Sequence, residues 1–188
     1  PVEAAAFLER SSGVLGGRPL YHPWGWGGYL GWKLHPSYKV FQDGRYLFHD
    51  LLTEQDAAIR SAGAWWEFLD KRGIEVALLE NLPLTVDTTR VYPDGSSRPF
   101  KRPYHAVYMP SDRWALVHFD ARALVFVRRS AAPAEWISAR EYRWLRPGDE
   151  EALADAVARS EVSGEAVDAE RKRREGEAAA TRPDIPGL

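Results

Sequence analysis

The sequence predicts an α/β domain of three layers: a short, mostly parallel sheet with an antiparallel hairpin at one edge, helices on both faces and a helical C-terminal tail. Three features carry that prediction. Between residues 18 and 79 short extended runs alternate with helical ones, the order that parallel strands joined by crossover helices require. Residues 114–120 (WALVHFD) and 123–129 (ALVFVRR) are apolar runs that meet at Asp120-Ala121-Arg122, which makes them a hairpin. Beyond Arg129 the chain turns polar and rich in Ala, Glu and Arg, a composition suited to surface helices.

Taken in order, residues 2–10 (VEAAAFLER) form an Ala-rich helix anchored by Phe7 and Leu8, and the serines and glycines of SSGVLGG stop it. Residues 18–22 (RPLYH) are extended, with Pro19 at the tolerant start of a strand. Residues 24–34 are helical, with Trp24, Gly28 and Gly31 on one face, Tyr29 and Trp32 beside them, and His35-Pro36 as the stop. Glycines three or four apart let another element approach closely. Residues 38–42 (YKVFQ) form a second strand, bounded by Pro36-Ser37 and by the Asp43-Gly44 turn. Helices over 51–61 and 64–71 follow, the latter with Trp65, Phe68 and Leu69 on one face and Gly73 as its stop signal. Residues 74–79 (IEVALL) are a buried strand, so the parallel strands centre on Leu20, Val40 and Val76. Pro83, Pro93, Pro99, Pro103 and Pro110 break residues 82–110 into a partly extended insertion with a turn at PDGSS. Helices over 149–161, whose acidic start suits the helix dipole, and over 164–180 complete the chain. The division is an α/β domain over 1–130 and a helical extension over 131–188.

A chain of 188 residues with 45% hydrophobic and 28% charged residues is globular and long enough for one buried core. The net charge of −2, with basic residues scattered rather than striped, argues against nucleic-acid binding. No cysteine means no disulfide and no thiolate metal site. No run reaches the roughly 18 to 20 apolar residues that span a bilayer, and the N-terminus lacks the layout of a signal peptide, so the chain as given reads as soluble. It begins with Pro1 and its one Met is Met109, so it reads as a piece of a longer protein.

The sequence has no Walker loop, no G-x-S-x-G elbow and no H-E-x-x-H pair. Gly25-x-Gly27-Gly28 has the wrong spacing for a dinucleotide loop, and the neighbouring aromatics would crowd a pyrophosphate. His22, His35, His49, His105 and His118 are dispersed and form no local ligand pair. No catalytic residue, metal ligand or cofactor is therefore expected. The candidate site is instead the stretch YHPWGWGGYLGWKLHPSYKVFQDGR, from which Trp24, Trp26, Gly28, Tyr29, Trp32, Asp43 and Arg45 are singled out for binding. Two readings stand for the tryptophans: burial in a core, because they carry so much apolar area, or an exposed platform for a sugar ring, lipid headgroup or partner. Asp43 and Arg45 either cap a turn or contact a ligand just past a strand's carboxyl end, where open α/β sheets collect ligands.

The succession W-G-W-G-G-Y-L-G-W-K-L, then K-V-F-Q-D-G-R, G-I-E-V-A-L-L and W-A-L-V-H-F-D-x-x-A-L-V-F-V-R-R resembles the soluble C-terminal domain of bacterial polytopic membrane glycosyltransferases of the C-fold type, the dolichyl-phosphate-mannose and lipid-A-arabinose transferase-like proteins. The resemblance covers residues 4–129 and departs at Gly25, where an acidic or polar residue is common, at Gln42, and in the Pro-rich insertion. Trp24, Trp26, Gly28 and Tyr29 also approximate the W-W-D-Y-G segment of oligosaccharyltransferase catalytic subunits, without its Asp. The resemblance implies an accessory domain on the extracytoplasmic face of a bacterial membrane. Its partner would be the membrane-embedded region of its own parent chain, and its ligand a lipid-linked sugar or acceptor. The family's catalytic carboxylates lie between membrane helices, so the domain alone would not catalyse transfer. The alternative is a stand-alone protein-interaction module with an aromatic binding surface.

Overall fold

The computed structural model describes residues 1–44 and 49–181, with side chains through Glu177. Helix α1 (Val2–Arg10) buries Ala4, Ala5, Phe7 and Leu8, and a short α2 (Ser12–Leu15) follows it. After β1 (Leu20–Tyr21), a single 3-10 turn at Trp24–Trp26 leads into α3 (Gly27–Leu34). Helix α4 (His49–Ala58) precedes α5 (Ala62–Lys71), whose first turn is capped by the Ser61 hydroxyl accepting from the Ala64 N–H. Strand β2 (Val76–Glu80) is followed by the hairpin β3 (Thr85–Val91) and β4 (Ser97–Pro103), then α6 (Tyr104–Tyr108). Strands β5 (Trp114–Phe119) and β6 (Ala123–Arg128) precede α7 (Ala134–Ser138), α8 (Glu150–Ala158) and α9 (Gly164–Thr181).

The main sheet has the order β1-β2-β6-β5. Period-two alternation divides it between two cores, which makes the three layers. Leu20, Val76, Leu78, Val125 and Val127 face α1, α2 and α3. Tyr21, Ala77, Leu79, Leu124 and Phe126 face Trp65, Phe68 and Leu69 of α5. The α/β class and the helices on both faces therefore hold. No helix among the described residues is long and apolar enough to cross a membrane.

The sheet is mixed rather than mostly parallel. Only β1 and β2 are parallel, while β6 pairs antiparallel with both β2 and β5. The hairpin does lie at one edge, with β5 outermost, but it makes up half of the sheet. Residues 38–42 form no strand, because side chains take their hydrogen bonds. The Phe41 N–H donates to His22 Nε2 at 3.0 Å, and Gln42 Nε2 donates to the His22 carbonyl at 3.2 Å. The Tyr38 hydroxyl reaches back to the Leu8 carbonyl at 2.9 Å. The segment lies instead against α3, where Gly27 and Gly31 leave room for Gln42 and Val40.

The insertion is more ordered than its prolines suggest. Strands β3 and β4 pair from Thr85↔Pro103 to Val91↔Ser97, and the turn is closed by Gly95 at φ +81° and by Asp94 Oδ1 accepting from the Ser96 N–H. Pro99 and Pro103 lie four residues apart on a two-stranded ribbon, so neither removes an inner ladder bond. Ion pairs fasten this ribbon to α8: Arg102 grips Asp149 through two contacts of 2.6 Å, and Arg90 and the Tyr92 hydroxyl reach Asp155 at 3.2 and 2.9 Å. Helix α9 is held by Glu170, which accepts three consecutive backbone N–H groups from Arg143 to Leu145. Its Arg173 and Arg174 lie over the rings of Tyr142 and Phe119, beside the edge strand β5.

Candidate functional site

Because β1 and β2 run parallel, their carboxyl ends lie side by side, and a cleft of about 480 Å³ opens there. Strand β1 contributes Tyr21 and, just past it, Pro23; β2 contributes Leu79 and Glu80. Trp65 of α5 forms one wall, Gln55 and Ile59 descend from the α4 side, and Tyr104 and Tyr108 of α6 stand opposite. Ile59, Leu82 and Leu84 are 48%, 41% and 55% exposed, and all three line this one cleft. Large aliphatic side chains left in water around a concavity make it a candidate site for an apolar ligand.

The polar groups in the cleft are few and fixed. The Tyr104 hydroxyl donates to the Glu80 carbonyl, and that of Tyr108 donates to the Ile59 carbonyl at 2.8 Å. Burial, with a smaller contribution from neighbouring charge, pushes the Tyr21 and Tyr104 phenols well above their ordinary range, so both are neutral at physiological pH. Among the described residues lining the cleft there is no His, Lys, Ser, Asp or Cys.

The aromatic stretch abuts this cleft through a buried polar clamp. His22 Nε2 accepts from Phe41, so its proton sits on Nδ1 and is donated to the Pro23 carbonyl at 3.0 Å. Burial pulls its pKa down, which keeps the ring neutral. Gln42, fully buried, donates to the His22 carbonyl and to Gln55 Oε1, the latter at 2.8 Å, and so joins residues 22–42 to a cleft-lining side chain.

The residues singled out by sequence are placed unequally. Trp24 is 45% and Trp32 78% exposed, whereas Trp26 and Tyr29 are half-buried against the α1 core. Tyr29 and Trp32 lie 6.3 Å apart, ring to ring. The set is therefore divided between core and surface, Trp26 and Tyr29 packing inward and Trp24 and Trp32 meeting solvent. Gly28 faces open space; the neighbouring Gly27 is the glycine pressed against backbone. Asp43 is half-buried, and its charge opposes the downward pull on His22. Arg45 lies outside the described residues. None of the six described residues of the set lines the cleft. The residues that do, Tyr104 and Tyr108 above all, carried one available signal, an i, i+4 aromatic pair.

Compared with known proteins, the chain matches no protein family, no curated protein and no solved structure.

Proposed function

We propose that the chain is a non-catalytic binding domain serving a bacterial membrane glycosyltransferase that uses lipid-linked sugar donors. In this reading it sits on the extracytoplasmic face, beside the membrane-embedded region of its parent chain, and holds the apolar part of a donor or acceptor. The observation that supports it is the cleft at the carboxyl ends of β1 and β2, with its rim of Ile59, Leu82 and Leu84 and its fixed tyrosine hydroxyls. An amphiphile suits such a lining: its chain covers the exposed aliphatic rim, the sugar hydroxyls meet the phenol oxygens and Glu80, and its phosphate stays in solvent away from that carboxylate. Trp24 and Trp32 supply aromatic faces on which a sugar ring or the partner surface stacks.

The test is calorimetric titration of the chain with a short-chain polyprenyl phosphate sugar, against the free sugar as control. Saturable binding of the lipid-linked compound alone is expected. Leu84→Glu, which removes about half of a buried leucine's 1.5–3 kcal/mol, should weaken it about 3- to 12-fold. No saturable binding, or equal binding by the variant, would sink the proposal. Sugar transfer by the chain alone would overturn the non-catalytic assignment.

A further inference from the structure

A second constellation lies away from the cleft, at the far end of β5. The register of β5 against β6 shifts between Leu116 and His118, so His118, not Val117, stands opposite Val125. A bulge of this kind re-aims a side chain. Here it turns His118 to the α1 face, where its ring stacks on Phe7 with centroids 5.0 Å apart and planes 18° apart. The stack fixes the ring plane and leaves both nitrogens directed at carboxylates. Nδ1 lies 3.9 Å from Glu177 Oε2 on α9, and Nε2 lies 3.5 Å from Asp120 Oδ2.

Asp120 is held as firmly. Its Oδ1 accepts the backbone N–H groups of Arg122 and Ala123 at 2.7 and 2.8 Å, which tie the carboxylate into the β-hairpin turn and leave Oδ2 directed inward. His118 and Asp120 are only 3% and 6% exposed, yet neither Nε2 nor Oδ2 has a hydrogen-bond partner. At 3.5 Å the two form an ion pair when the ring is protonated but are too far apart for a good hydrogen bond, so a cation between neutral imidazole and carboxylate would satisfy both buried atoms better. The exposed Glu3, in the first turn of α1, brings a third donor: one ligand atom each from Glu3, His118 and Asp120 lies within 4.8 Å of the others.

We propose that Glu3, His118 and Asp120 form a binding site for a divalent cation, zinc being the ion their donors suit best. Bonds of about 2.0–2.1 Å in tetrahedral array place neighbouring ligand atoms roughly 3.3 Å apart, close to the separation of Nε2 and Oδ2. Glu3, on a flexible exposed side chain, closes the remaining distance. Glu177 Oε2 stands 3.9 Å behind Nδ1, so a small approach would let it accept from Nδ1–H and hold Nε2 toward the metal, the outer carboxylate that ligating histidines usually have. Three protein ligands leave a fourth position for water or a ligand oxygen.

The experiment is titration of the untagged, metal-stripped chain with Zn²⁺, with Co²⁺ as a spectroscopic probe of geometry. One ion per chain is expected, with a rise in Tm and a tetrahedral Co²⁺ spectrum. Glu3→Gln is a surface change, and Asp120→Asn retains the Oδ1 that caps the turn, so both variants should stay folded. Each should weaken Zn²⁺ binding at least ~10-fold, and Glu177→Gln, behind the histidine, about as much. Absence of binding at millimolar Zn²⁺ would overturn the assignment, as would binding that Glu3→Gln or Asp120→Asn leaves unchanged.

Discussion

Gly27 and Gly28 are adjacent in the sequence and begin the same helix, yet alanine at these two positions should act in opposite directions. A Cβ at Gly27 would stand 1.9 Å from the carbonyl oxygen of Gln42 and 2.8 Å from Cα of Asp43, both of them backbone atoms. To restore an ordinary contact of 3.4 Å the segment must retreat by about 1.5 Å, and no side-chain rotation relieves the clash. Retreat pulls Phe41 and Gln42 away from His22, two hydrogen bonds of about 1 kcal/mol each. With 1–3 kcal/mol for overpacking, less the ~1 kcal/mol that alanine gains in helix propensity, Gly27→Ala should cost roughly 2–4 kcal/mol, or about 5–15 °C in Tm for a chain of this size. A Cβ at Gly28 meets nothing within 4 Å, so Gly28→Ala should gain about 0.5–1 kcal/mol from helix propensity. Calorimetric melts of the two variants beside the parent decide the matter. Equal shifts, or a Gly27→Ala variant as stable as the parent, would refute the packing of residues 38–43 against α3.

The tryptophans give a graded series under chemical denaturation. Trp32→Ala should change stability by less than about 0.5 kcal/mol, whereas Trp26→Ala, half-buried against the α1 core, should cost about 2 kcal/mol. His105 donates from Nε2 to the Pro147 carbonyl, and burial drags its pKa down to about 4. The unfolded chain, with an ordinary histidine near 6.5, binds that proton first, so stability falls as pH drops from about 6.5 to 4, by up to about 3 kcal/mol. His105→Gln keeps a donor and should flatten this limb of the stability–pH curve; an unchanged slope would count against the buried neutral ring. Arg102→Met leaves the buried Asp149 carboxylate without its bidentate partner and should cost roughly 2–4 kcal/mol. The double variant with Asp149→Asn should recover much of it, and failure to do so would argue that the ribbon and α8 are not coupled through this pair.

Much of the fold was legible because it is written in local patterns. The first helix is predicted at residues 2–10 and found at Val2–Arg10, since Ala-rich propensity and the following Ser/Gly run act within one segment. The apolar runs flanking Asp120-Ala121-Arg122 become β5 and β6 because two strands so close in sequence have little choice but to pair. The strand expected at residues 38–42 failed for a reason invisible locally. Its apolar pattern suits a strand, but a histidine some 20 residues earlier offered that backbone another partner and the glycines of the preceding helix α3 left it a place to pack. Prolines likewise concealed a ribbon whose stability comes from ion pairs to α8, more than 45 residues away.

The site divides in the same way. The abundance of Trp and Gly in residues 21–45 pointed to an aromatic surface, and Trp24 and Trp32 are indeed exposed. Which tryptophan meets water and which meets the core depends on what packs against each face of α3, information that no window of neighbouring residues contains. Tyr21, Leu79 and Tyr104 come from three separate elements and Leu84 from a loop, and Glu3, His118 and Asp120 are gathered from a helix, a bulged strand and a turn. Composition and periodicity by themselves determined the layers and most of the elements, because hydrophobic burial and turn chemistry act over a few residues. Sheet order, the cleft and the convergence of buried polar groups were decided only in the tertiary structure, because each depends on atoms that meet across long loops.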